Sequence, residues 1–210
     1  MVEAVRFELD ELEPPQNDRE ARTRRLIVDA ARLTFERVGI RRATMDDIAG
    51  AAGVSRKTVY NYYENKPRLI GEVIAAESLR VALAAQAQID LSLPAEELLV
   101  EAKMIWLVTA RDNRWVRLLL TPEALEISAQ TLEQSDRVRS VMRRFWEPIL
   151  EPIEAAGRLR ADLDETVEWL SLQHFVLLSR PSFLAGDDER ARRLLRTFLV
   201  PAVLRPADGS

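Results

Sequence analysis

Residues 44–74 read TMDDIAGAAGVSRKTVYNYYENKPRLIGEVI, and the punctuation of this stretch decides the fold. Thr44 precedes Met45, with Asp47 three residues on. A hydroxyl to accept orphan N–H groups and an acid to reach back make a capping box. A short helix is therefore predicted from Met45 to about Ala52, burying Met45, Ile48, Ala49 and Ala52, and Gly53 ends it. Ser55 caps a second short helix, Arg56 to about Tyr63. Asn65 caps a third, with Pro67 tolerated in its first turn because that N–H would be unpaired anyway. Leu69, Ile70, Val73 and Ile74 open this third helix, which is long and runs to about Ile89.

Working outward, residues 19–38 place Ile27, Ala30, Ala31, Phe35 and Val38 at helical spacing, with arginines on the other face. Gly39 follows at a C-terminal position that needs a positive φ. Two-turn helices are marginal alone, and the 19–38 helix supplies the surface they pack on. Helix, glycine-containing turn and helix form the helix-turn-helix layout, whose second helix can enter a DNA major groove about 12 Å wide. On that second helix Val59 and Tyr63 share an inward face near Val54. Arg56, Lys57, Thr58, Tyr60 and Asn61 are left facing out, a set of cations, hydroxyls and an amide suited to phosphates and base edges.

Charge supports the same segment. The 210 residues carry a net charge of −4, which by itself argues against a nucleic-acid partner. Yet residues 1–18 hold one base and six acids, residues 19–70 twelve bases and six acids, and residues 71–210 seventeen bases and twenty-two acids. A basic block beside an acidic remainder is what a phosphate-binding module joined to a separate domain produces. The alternative is a solvated charged face, or a polar helix surface on a small helical bundle, which charge alone does not exclude.

Residues 44–74 resemble the DNA-binding region of the TetR family of bacterial transcriptional regulators, and the likeness extends over about residues 22–75. It rests on the Ile-Ala…Ala-Gly-Val-Ser run, the Thr-Val-Tyr of the second helix, the Tyr-Tyr pair, and the following Lys and Leu. The resemblance implies that Thr44 touches phosphate, that Thr58 and Tyr60 are recognition-helix contacts, that Tyr62 reaches the DNA backbone and that Lys66 sets its ammonium on a phosphate. Arg41, Ser55, Arg56, Lys57 and Asn61 complete the expected DNA-facing set. Lys57 stands where many relatives carry glycine and Asn65 where serine is common. Asn65 is an equivalent cap, whereas Lys57 adds a long cation at the groove face.

After Pro94 the pattern stays helical, over about 95–110, 114–120, 123–156 with a break, 164–180 and 187–204. No stretch alternates as a strand does, so the fold class is all-α. The expected organisation is a flexible acidic arm over 1–18, a helix-turn-helix domain over 19–66, and a ligand-binding and dimerisation domain over 67–210. The 164–180 helix is apolar all round and must be buried all round, which two-fold pairing achieves. Trp169, Leu172, Phe175 and Val176 from it, with Leu194, Leu195 and Phe198 from the next helix, form the expected homodimer interface. Family resemblance also implies a C-terminal cavity for a small apolar or aromatic effector. Met104, Trp106, Trp115, Met142, Phe145, Trp146, Trp169 and His174 are its candidate lining, although an aromatic stripe at helical spacing is usually core.

With no cysteine and one histidine, thiolate chemistry is excluded, and His174 has no neighbours at metal-ligand spacing. No cofactor is expected. No phosphate loop or nucleophile elbow speaks for an enzyme. The beginning of the chain lacks the order of a secretory signal and the longest uncharged run, 169–179, is too short to span a bilayer, so a cytoplasmic location without membrane contact is expected. The sequence thus predicts a repressor that binds a palindromic double-stranded operator as a homodimer. A helical interaction protein on the same scaffold is the alternative.

Overall fold

The computed structural model describes residues 18–121, 124–126, 129, 135–179 and 187–206. Most of the arm expected over 1–18, and part of the helical stretch expected over 123–156, lie outside them. The described residues are helical, as expected: α1 Asp18–Val38, α2 Met45–Ala52, α3 Arg56–Tyr62, α4 Lys66–Gln86, α5 Ala95–Asp112, α6 Arg114–Leu119, α7 Asp136–Ala155, α8 Leu163–Leu178 and α9 Asp188–Leu194. From α9 the chain continues through a π-helical turn, Leu195–Leu199, into α10, Val200–Val203. One isolated antiparallel bridge pairs Leu159 with Leu204. The chain forms two compact units, Met1–Leu79 with Arg117–Ser140 and Arg80–Val116 with Val141–Ser210.

In the first unit the boundaries of α2 and α3 follow from their caps. Asp47 N–H donates to the Thr44 hydroxyl at 3.1 Å, and Thr44 N–H donates back to the Asp47 carboxylate at 2.9 Å. This reciprocal pair satisfies two donors that the helix itself cannot. Gly53 ends α2 at φ +65 and Gly39 follows α1 at φ +84, conformations in which a side chain would be strained. Thr58 N–H donates to the Ser55 hydroxyl at 3.0 Å, and Arg68 N–H donates to the Asn65 side chain at 3.0 Å. Ile27, Ala31 and Phe35 of α1, Ile48 of α2, Val59 of α3, and Leu69 and Val73 of α4 have no exposed surface. Each of the larger ones contributes about 1.5–3 kcal/mol of transfer free energy, which is what two-turn helices need to persist.

In the second unit α7 carries Pro148 and Pro152 in its interior. Proline has no N–H, so Pro148 leaves the carbonyl of Arg144 without its helical donor. Gln86, the last residue of α4, replaces that donor: its Nε2–H reaches the Arg144 oxygen at 3.2 Å. The helix is therefore continuous from 136 to 155, and the break expected in this stretch does not fall at its prolines. Arg192 ties α9 to α5 through a two-pronged pair with Glu101, Nε and Nη2 lying 2.8 and 3.2 Å from its two oxygens. The Glu101 carboxylate raises the already high pKa of this guanidinium.

Candidate nucleic-acid interface

The geometry of α3 begins with what it buries. Val59 and Tyr63 turn into the first unit, and Val54 is half-buried beside them. That fixes the rotation of the helix. Lys57, Tyr60 and Asn61 consequently face solvent, together with Arg56, while Thr58 and Tyr62 are half-buried. Ser55 and Thr58 hydroxyls lie 2.8 Å apart at the N-terminus of the helix. Tyr60, an aromatic of which 40% is exposed, has no packing reason to stand out in water.

Several of these groups are held. Arg56 Nη1 donates to the Asp46 carboxylate at 2.8 Å, bridging α3 to α2, and its guanidinium carbon lies 5.4 Å from the centre of the Tyr60 ring. Arg24 of α1 sits 5.7 Å over the Tyr62 ring, a contact that orients the phenol. Lys66 Nζ donates to the Arg41 carbonyl oxygen at 3.0 Å, and partial burial lowers its pKa. Thr44 donates its hydroxyl hydrogen to Asp47 at 2.6 Å. That bond and the cap hold the Asp47 carboxyl below its ordinary range. The structure thus gathers Arg41, Thr44, Ser55, Arg56, Lys57, Thr58, Tyr60, Asn61, Tyr62 and Lys66 within the first unit. It adds two residues that the sequence reading passed over, Arg24 and Asp46. Asp46 had a legible signal, since it is exposed in the first turn of α2 and ten residues before an arginine.

The second unit holds two further clusters. Inside it, Trp106 of α5, Phe145 and Trp146 of α7 and His174 of α8 are all buried. The imidazole lies between the two indoles, 4.8 Å from Trp106 and 5.5 Å from Trp146, nearly parallel to both at 13° and 17°. Phe145 meets Trp106 edge-on at 4.7 Å. Met104, Trp115 and Met142 are buried as well. Lys103 is wholly buried one turn from Trp106, donates Nζ–H to the Leu170 carbonyl at 2.7 Å, and lies 5.8 Å from the Trp146 ring centre. The sequence reading missed it. The signal was its spacing, because Leu99, Lys103, Trp106 and Ala110 fall on one helix face.

Trp169 does not join this cluster. It stands with Leu172 and Val176 on the outer face of α8, while Leu163, Val167, Leu170 and His174 turn inward. Phe198 is 68% exposed and Leu194 half-buried, but Leu195 is buried within the chain alongside Ala191 and Leu199. The interface set expected on the last helix, Leu194, Leu195 and Phe198, is therefore split, because residues four apart, 191, 195 and 199, turn inward together. Phe175 is half-buried.

The family model of bacterial regulatory proteins, tetR family, matches residues 27–73, a span that contains α2 and α3. The chain is 25% identical over 157 residues to the HTH-type transcriptional regulator YhgD of Bacillus subtilis, covering 74% of this chain and 81% of YhgD. Over 52 residues, 25% of this chain and 24% of its relative, it is 36% identical to the "Probable acrEF/envCD operon repressor" of Escherichia coli. Among solved structures, RolR in complex with resorcinol has the same fold, with a TM-score of 0.58, 18% identity, and coverage of 87% of this chain and 90% of that one. Among the described residues, no helix is long and apolar enough to cross a membrane.

Proposed function

As a member of the TetR family of bacterial regulatory proteins, the chain is a DNA-binding transcriptional regulator, and we propose that it works as a homodimeric repressor. In this reading two copies of α3 enter successive major grooves of a palindromic operator, about one helical turn apart. The carrying observation is the rotation of α3, which buries Val59 and leaves Lys57, Tyr60 and Asn61 outward. Lys57, Thr58, Tyr60 and Asn61 read base edges. Arg41, Thr44, Ser55, Arg56, Tyr62 and Lys66 position the head on phosphates. Domain roles divide accordingly, with DNA reading in the helix-turn-helix segment and pairing and effector binding in the C-terminal helices. The place of action is the cytoplasm, where the duplex is.

Pairing is supported by the outer face of α8. Trp169, Leu172 and Val176, three and four residues apart, put large exposed apolar side chains on one helix face, and Phe198 is exposed as well, surface that a monomer would leave in water. The release signal is a small molecule bound in the second unit beside Trp106, Phe145, Trp146 and His174. A hundredfold change in operator affinity needs about 2.7 kcal/mol of differential binding, within the ordinary range of coupling between sites. RolR, which has this fold, is held with a small aromatic ligand, and that likeness favours an aromatic effector here.

The test is selection of duplexes from a random pool by the purified chain, followed by titration of the winning duplex at several salt concentrations. The expected result is an inverted repeat bound by two chains, with affinity falling steeply as salt rises. Binding without sequence preference, or a bound monomer, would refute the proposal.

A further inference from the structure

Among the described residues, Lys103 is a buried cation with no anion paired to it. Its side chain has no exposed surface, and its one hydrogen bond among those residues goes to a neutral carbonyl oxygen, that of Leu170. Burial alone lowers its pKa, with no carboxylate acting on it. Buried charges in proteins are ordinarily paired or ligated. Around it the same deficit repeats. The indole nitrogens of Trp106 and Trp146 and both ring nitrogens of His174 are buried without a hydrogen-bond partner among the described residues.

These groups share one chemical bias. Each indole can only donate, the ammonium can only donate, and a neutral imidazole donates from one nitrogen. The cluster is thus rich in donors and short of acceptors. Its aromatic members are ordered: the imidazole and the two indoles stack nearly parallel, and Phe145 meets Trp106 edge-on. Buried polar groups are rarely left unpaired, and each exception calls for an explanation.

We propose that Lys103 and the Trp106–His174–Trp146 stack form the binding site of a flat organic anion, an aromatic carboxylate whose oxygens supply the missing acceptors. The inference rests on the effector-responsive reading and narrows it to one ligand class. The carboxylate accepts from the Lys103 ammonium and the indole N–H groups, and its ring lies among the aromatic side chains. A neutral aromatic of equal shape leaves the cation unpaired. Charge, rather than size, is therefore the discriminating property.

The experiment uses the full chain and follows tryptophan fluorescence and heat on titration with benzoate and 1-naphthoate, each beside its neutral amide. Saturable binding is expected, with the acids at least about tenfold tighter than their amides. Lys103→Met, which keeps length and removes charge, should bring acid and amide within about twofold of each other. Trp106→Phe, which keeps a ring and removes the donor, should weaken the acids several-fold and keeps the test open if the lysine variant does not fold. Equal binding of acid and amide, a preference for acid that survives Lys103→Met, or no saturable binding of either acid would overturn the proposal.

A parallel measurement with the selected duplex separates this inference from its premise. Release by the neutral amides, and not by the acids, would end the anion site and leave the effector reading standing. Lysine-dependent binding of the acids with no change in duplex affinity would keep the site and end the effector reading.

Discussion

Lys66, the first residue of α4, donates its Nζ hydrogen to the carbonyl oxygen of Arg41 at 3.0 Å. The ammonium is thereby held against the connection between α1 and α2, with a direction imposed on it before any duplex arrives. A lysine fixed in this way loses less side-chain entropy when it meets a phosphate. Lys66→Ala should weaken binding to all sequences alike and reduce the salt slope by about 0.9. Anisotropy titrations of the selected duplex and of a scrambled one, each over a salt series, would measure both. An unchanged slope would remove Lys66 from the phosphate contacts.

The α3 surface should respond differently. Lys57→Ala and Tyr60→Phe alter groups that point outward and touch nothing in the core, so stability should be unaffected. Each should shift preference among sequences at one position of each half-site, by about 1–3 kcal/mol between best and worst base. Repeating the duplex selection with each variant would reveal the shift.

The proposed pairing draws on side chains that the chain itself leaves exposed. Leu172→Glu or Phe198→Glu introduces charge at a surface 61% or 68% accessible and should leave each chain folded. Light scattering should then give the mass of one chain where the unaltered protein gives two. Duplex affinity should fall with it, because a single reading head contacts only one half-site. A variant that remained dimeric would place the interface elsewhere.

The α7 prolines carry a stability prediction. Gln86→Leu removes the donor that serves the Arg144 carbonyl and should cost about 1–3 kcal/mol, the penalty of an acceptor left unsatisfied. In urea the unfolding midpoint should drop with no change in slope.

His174 sets the response to acid. Burial, and Lys103 beside it, hold its pKa well below the ordinary 6.5. The unfolded chain takes up this proton as pH falls through about 6.5, while the folded chain does not. Stability is thus full above that value and declines below it by up to about 1.4 kcal/mol per pH unit. The Lys103 shift has the same sign, but the unfolded chain takes up that proton as pH falls through the ordinary 10.5, so its part of the loss begins there, above the range in which His174 acts. His174→Phe should flatten the stability profile between pH 6.5 and the more acidic range, as followed by urea midpoints at successive pH values.

The head was legible because its determinants are local. Thr44 with Asp47, Ser55 with Thr58, and Asn65 with Arg68 are each three residues apart, so a single strip of sequence contains both partners of every cap. The inward face of α3 was likewise readable from the spacing of Val59 and Tyr63. The spacing of Lys103 placed it on a buried helix face, but its partners Leu170 and Trp146 lie more than forty residues away and could not be read. The two-sided character of α8 could be foreseen as a requirement. Which side turned inward depended on the helices packed against it. The division of the expected interface residues on the final helix was hidden for a related reason, as no residue in it foretells the π-helical turn at Leu195–Leu199.

Arg56 already has a carboxylate in hand, that of Asp46 at 2.8 Å. A phosphate that claims this guanidinium must evict Asp46, and the evicted acid then confronts the polyanion. The gain is a difference between two ion pairs and not the whole of one. In the proposed reading, one acid in the neighbouring helix thus tempers the grip of the reading head on phosphate.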